Sequence, residues 1–187
     1  MYQYSPCLRC DLQPIITASI VRLDCFWYGK VAFVRYLGET CPLIRIEHSI
    51  VIDRPLDDVF DYLAAPWNMP EWQEAVLDAS PIGDAPIGAD TRVRVRRRFM
   101  GQVVTLVLET TEFKPNERFS FASDSGPIAL SGTVAVSPHG QGTSVLFTLS
   151  GEASGLFMLA GPFIEQIVRQ ETVDNAARLK KIMESSP

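Results

Sequence analysis

After Cys41 the chain contains no cysteine, and across all 187 residues it has only two histidines. Its 17 basic side chains are outnumbered by 22 acidic ones, giving a formal net charge of -5. That balance lacks the general basic footprint of a nucleic-acid-binding domain, so nucleic acid is not an expected partner. No run of about 18 uncharged apolar residues occurs. The strongest candidate, residues 15–37, is broken by Arg22, Asp24, Lys30 and Arg35, and no transmembrane segment is expected. The N-terminus shows neither a basic start followed by a clean apolar block nor a small-residue cleavage site, which makes the cytoplasm the expected location. H-E-x-x-H, G-x-S-x-G, a Walker A loop and an acidic metal cluster are all missing. Gly140-Gln141-Gly142 is a fragment of a Gly-rich motif, but it falls between two strand-like segments and reads as a hairpin. No cofactor and no metal are expected.

The four cysteines, Cys7, Cys10, Cys25 and Cys41, crowd the beginning of the chain. Cys7-x-x-Cys10 would make half of a zinc site, but Cys25 and Cys41 do not supply the second close pair that such sites usually show. Residues 1–42 follow no sustained apolar period and read as a loosely ordered extension or a translated leader. The domain proper is expected over residues 43–187. A composition of 47% hydrophobic and 21% charged residues suits one well-buried soluble core.

The longest patterned segment closes the chain. Ile164, Ile167, Val168, Ala176, Leu179, Ile182 and Met183 recur at helical spacing, with Arg169, Asp174, Arg178 and Lys181 on the other side. Pro162 suits a first helical position, so one amphipathic helix is expected over 162–184. Such a helix would be roughly 35 Å long at about 1.5 Å per residue and needs a sheet to lie on. Earlier, Ile44, Ile46, His48, Ile50 and Ile52 alternate with Arg45, Glu47, Ser49, Val51 and Asp53, the signature of a half-buried strand. Leu56, Val59, Phe60 and Leu63 then adopt helical spacing, and Pro66 and Pro70 mark a turn into a second short helix over 70–76. In 91–99, Arg92, Arg94, Arg96 and Arg98 share one face, while Val93, Val95, Arg97 and Phe99 share the other. Met100-Gly101 fits a two-residue turn, which pairs Phe99 with Gln102, Val95 with Leu106 and Arg92 with Glu109. Further strands are expected over 117–123, 128–136 and 143–151. The order is strand, two short helices, about six strands and one long helix. The expected class is α+β, a curved antiparallel sheet wrapped around the C-terminal helix.

The strand 46–52 running into Asp-Arg-Pro-Leu-Asp-Asp-Val-Phe-Asp-Tyr-Leu, then Pro-Glu-Trp, the corner from Phe113 to Phe119 and the helix end at Leu179-Lys-Lys-Ile-Met resemble the SRPBCC superfamily. The similarity is to its polyketide cyclase/dehydrase and lipid-transport branch, START-like or helix-grip proteins, over about residues 44–184. It implies a deep, largely apolar cavity between sheet and last helix for a lipid, polyketide, steroid or other hydrophobic molecule.

Within that frame the inward charge Arg97 must find a partner or water, and it is a candidate anchor for a ligand carboxylate or carbonyl. The alternative is an arginine solvated at the sheet rim. His48, on the apolar face of the first strand, is a candidate to hydrogen-bond a ligand or a satisfied edge histidine; His139 reads as an exposed turn residue. Trp72, Val95, Phe121, Phe147, Phe157, Phe163, Ile164 and Ile167 are expected in the layer that is both core and cavity wall. Glu171, Thr172 and Asn175 interrupt the helical stripe where it passes either the cavity or solvent. The favoured function is binding or carriage of a hydrophobic small molecule. The alternatives are a cofactor-independent cyclase or dehydrase using Arg97 and His48, and, more weakly, a protein-interaction module using the arginine face.

Overall fold

The computed structural model describes residues 44–123, 128–153 and 161–185. Alternation makes β1 (Ile44–Ile52) a strand with Ile44, Ile46 and Ile52 fully buried and Arg45, Glu47 and Ser49 exposed. Pro55 precedes α1 (Leu56–Ala64), whose Asp57 and Asp58 lie in the favourable N-terminal turn and whose Val59, Phe60 and Leu63 face inward. A 3₁₀ turn (Pro66–Asn68) leads into α2 (Met69–Trp72). Six strands follow: β2 (Val76–Pro81), β3 (Arg92–Phe99), β4 (Gln102–Lys114), β5 (Arg118–Ser123), β6 (Ile128–His139) and β7 (Gly142–Ala153). The chain then enters α3 (Gly161–Ser185).

The strands form one antiparallel sheet in the order β1-β7-β6-β5-β4-β3-β2. Ile164 of α3 packs with Ile44 and Ile46 of the β1 edge, while Glu171 of the same helix bonds Arg97 of β3, next to the opposite edge. One helix reaches both sides only if the sheet curls around it. Register shifts in β2 at Val76/Asp78 and in β4 at Thr110/Glu112 supply local bends of the kind bulges produce. The β3–β4 hairpin has the expected register, with Phe99 opposite Gln102, and Met100 and Gly101 both adopt positive φ, 49° and 80°. These are the left-handed angles that a two-residue primed turn demands.

The sequence reading does not include β2 as a strand, and two further details depart from it. The second short helix ends at Trp72 rather than at Val76, because Val76 opens β2 and pairs with Arg97. Ile167 leaves the buried stripe of α3: it is 38% exposed, and Phe163, one turn before it, is 62% exposed. The inner face of the helix instead runs through Ile164, Ala176, Leu179 and Met183.

The helix end is clasped to the end of β1. Glu184 Oε1 accepts the Asp53 backbone N–H at 2.9 Å, and Lys180 Nζ donates to the Val51 carbonyl. That backbone bond, and then Lys180, lower the Glu184 carboxyl below its ordinary range. At the β4–β5 corner Arg118 and then Lys114 hydrogen-bond Glu112 and hold its carboxyl at about 2.

Candidate functional site

Between the inner face of the sheet and α3 lies a cavity with about 160 Å³ of space that water-sized molecules can enter. Its floor is apolar because alternation turns Val93 and Val95 of β3, and Leu106 and Leu108 of β4, to the same side. Strict alternation would carry Phe113 to the outside. The bulge at Thr110/Glu112 reverses the phase, so Phe113 joins Phe119 and Phe121 of β5 on the cavity wall. Behind them Phe60 meets Phe113 and Phe119 edge-on, with centroids 5.6 and 6.1 Å away.

Pro66, Met69 and Trp72 form the roof. Tyr62 Oη donates to Glu71 Oε2 at 2.7 Å and Asn68 Nδ2 donates to the Tyr62 carbonyl at 3.0 Å, tying the two short helices together. Burial, reinforced by the hydrogen bond to Glu71, raises the Tyr62 phenol above its ordinary range and keeps it a donor. The Glu74 backbone N–H reaches Asn175 Oδ1 at 3.3 Å, which fastens the far end of the roof to α3.

Apart from Gln73 and Thr110, the polar side chains of this apolar enclosure gather where β3 meets α3. Arg97 Nη2 donates to Glu171 Oε1 at 2.5 Å, and the two side chains are 19% and 24% exposed. Thr172 and Asn175 continue the polar strip along the helix, with Thr172 Oγ1 spent on the Val168 carbonyl at 2.8 Å. The inward arginine is therefore ion-paired across the cavity side, and the polar break in the helix marks the cavity rather than solvent. Arg97 Nε and Trp72 Nε1 are buried with no hydrogen-bond partner among the described residues. An unmet buried donor of this kind costs about 1–3 kcal/mol, so both N–H groups would gain from an acceptor.

Trp72, Val95, Arg97 and Phe121 all line the cavity. Other expected wall residues lie elsewhere. His48 is half-buried opposite Phe147 on β1, where α3 rather than the cavity covers the inner face. Phe147 is buried behind the wall, 5.9 Å from the Trp72 ring. Ile164 is buried against Ile44 and Ile46, while Phe163 and Ile167 are exposed and are not part of the cavity wall. Phe157 and the four cysteines lie outside the described residues. The structure thus does not bring Arg97 and His48 together; Arg97 meets Glu171 instead. Arg92, Arg94, Arg96 and Arg98 are exposed on the outer face, and Arg96 is paired with Asp78 at 2.9 Å. Among the described residues no group of three or more His, Cys, Asp or Glu side chains could hold a metal ion, and no helix is long and apolar enough to cross a membrane.

A curved antiparallel sheet closed by a long last helix over an internal, mainly apolar cavity defines the helix-grip class. The chain belongs to the polyketide cyclase / dehydrase and lipid transport family, whose model matches residues 44–184. No curated protein sequence is significantly similar to it. Among solved structures it is similar to TTHA0849 from Thermus thermophilus, with 22% identity, a TM-score of 0.66, and coverage of 76% of this chain and 99% of that one. It is also similar to the Zhui aromatase/cyclase from Streptomyces sp. R1128, at 15% identity and a TM-score of 0.65 over 75% and 93% of the two chains. A START superfamily protein from Mycobacterium smegmatis matches at 12% identity and a TM-score of 0.65 over 75% and 97%. At these identities the likeness is one of fold.

Proposed function

We propose that the cavity binds a hydrophobic small molecule, such as a lipid or polyketide, that carries an oxygen acceptor. The observation that carries this reading is an apolar enclosure with an internal Arg97–Glu171 pair and two partnerless N–H donors, Arg97 Nε and Trp72 Nε1. Apolar walls supply affinity without direction, and a few placed polar groups supply orientation. Glu171 already balances the guanidinium charge. Both N–H groups are covered in this structure, so a neutral ligand with a carbonyl or hydroxyl meets them only once the side chains shift, whereas a carboxylate must also compete with Glu171. A panel of fatty acids, sterols and aromatic polyketides tests the reading by thermal unfolding. A true ligand at 100 times its dissociation constant should add about 2.7 kcal/mol of stability. No stabilisation by any member would count against it.

A second reading is favoured by the same ion pair. In such a pair on the wall of an apolar cavity the Arg97 guanidinium can polarise a carbonyl and the Glu171 carboxylate can accept a proton, the requirements of a cyclisation or dehydration of a poly-ketone chain. In that case Glu171, not His48, partners Arg97. Turnover of such a chain, lost in Arg97→Met, would separate an enzyme from a carrier.

A further inference from the structure

Gly132 sits on the inner face of β6, between Phe121 of β5 and Leu149 of β7 in one row across the sheet. Both neighbours line the cavity. A Cβ built on Gly132 would stand 2.6 Å from Phe121 Cζ, 2.8 Å from Leu149 Cδ2 and 3.0 Å from the Thr148 carbonyl oxygen. Real Cβ atoms do not approach other heavy atoms that closely, so the missing side chain is what lets the ring and the isobutyl group lie down over β6. The strand backbone closes the space beneath them, and the open space beside a displaced ring or isobutyl group is the cavity that both line. An isolated glycine inside a strand often marks such a close approach.

The geometry points to Gly132 as the residue that sets the depth of the cavity and hence the largest ring system it accepts. This rests on the binding reading above and adds to it where the bulk of the ligand lies. Gly132 is three strands from Arg97, about 14 Å across the sheet at about 4.8 Å per strand. Its row meets β4 at Thr110, six residues or about 20 Å along that strand from the Val104 that pairs with Arg97, so the two mark opposite ends of the cavity. An acceptor held near Arg97 therefore leaves the apolar body of the ligand to extend toward the Phe121–Gly132–Leu149 row. Nothing at that row is charged, and Thr110 beside Phe121 is its one polar side chain among the described residues, so the far end of the ligand is uncharged and is selected mainly by size.

The test uses the full chain and two fluorescent probes of different size, N-phenylnaphthylamine and naphthalene. Wild-type protein should bind both. Gly132→Ala, which lifts Phe121 and Leu149, should weaken N-phenylnaphthylamine at least tenfold and change naphthalene by less than threefold. Adding Phe121→Leu to Gly132→Ala should restore the larger probe. Equal binding of both probes by wild type and Gly132→Ala overturns the proposal, as does a double variant that fails to recover. If Gly132→Ala does not fold, Phe121→Leu alone should bind N-phenylnaphthylamine at least threefold more tightly, and an unchanged affinity overturns the proposal. Wild-type protein that binds neither probe overturns the binding reading itself and this inference with it.

Discussion

Phe60→Ala should destabilise the domain by about 3–5 kcal/mol, the usual range for deleting a buried aromatic ring, and lower Tm by roughly 10 °C. Phe60 is 2% exposed and joins α1 to the sheet through edge-on contacts with Phe113 and Phe119. Those two rings are also cavity wall, Phe113 being turned inward by the β4 bulge. Removing Phe60 leaves a void behind them, so probe binding should weaken along with stability. Phe163→Ala is the matched control. At 62% exposure its loss should stay within about 0.5 kcal/mol. Thermal unfolding of the two variants checks the pair, and equal shifts would contradict the packing described for α1.

Arg97→Met should produce the largest change in ligand selectivity. The substitution keeps an apolar stem of similar length and removes both the ion pair and the spare Nε donor. Glu171 is then left against an apolar wall without its counter-charge. Breaking a fully buried pair costs about 3–5 kcal/mol, and the partial exposure of both side chains reduces the expected loss to about 1–3 kcal/mol. Arg97→Met combined with Glu171→Gln should recover most of it, because the stranded charge is gone. For binding, fluorenone and fluorene share one skeleton and differ in a carbonyl. A hydrogen bond to a charged donor contributes about 1.5–3 kcal/mol, so wild-type protein should prefer the ketone by roughly 10- to 150-fold. Arg97→Met should lose most of that preference, with Trp72 Nε1 left as the second donor. Titration of both compounds against both proteins decides it, and a variant that keeps the preference removes Arg97 from the orienting role.

How much of this was legible depends on how local each signal is. The β3–β4 hairpin was readable to the residue, since alternation and the Met100-Gly101 turn fix each other's register. The inward position of Arg97 followed from the same alternation. Its partner did not, because Glu171 lies 74 residues away and only the curl of the sheet joins them. The polar break at Glu171, Thr172 and Asn175 was visible in the helix, but a helical period alone does not say whether it faces a cavity or solvent. β2 escaped notice as a strand because the shift at Val76/Asp78 breaks its two-residue period, and the Thr110/Glu112 bulge likewise hid the inward turn of Phe113. Phe163 and Ile167 misled for the opposite reason: the first turns of α3 carry apolar residues on both faces. His48 has the right parity, but on an edge strand covered by the helix that face does not reach the cavity. Gly132 was present as a lone glycine in a strand, and only the neighbouring ring and isobutyl group reveal what it makes room for.

The most direct test of the central claim is native mass spectrometry of the full chain purified from its own host, alongside Leu108→Trp, which places an indole in the middle of the cavity floor. The account predicts a discrete apolar adduct on the wild-type protein, released on unfolding, and an empty but folded Leu108→Trp. The same adduct on both proteins would place the ligand outside the cavity and contradict the account.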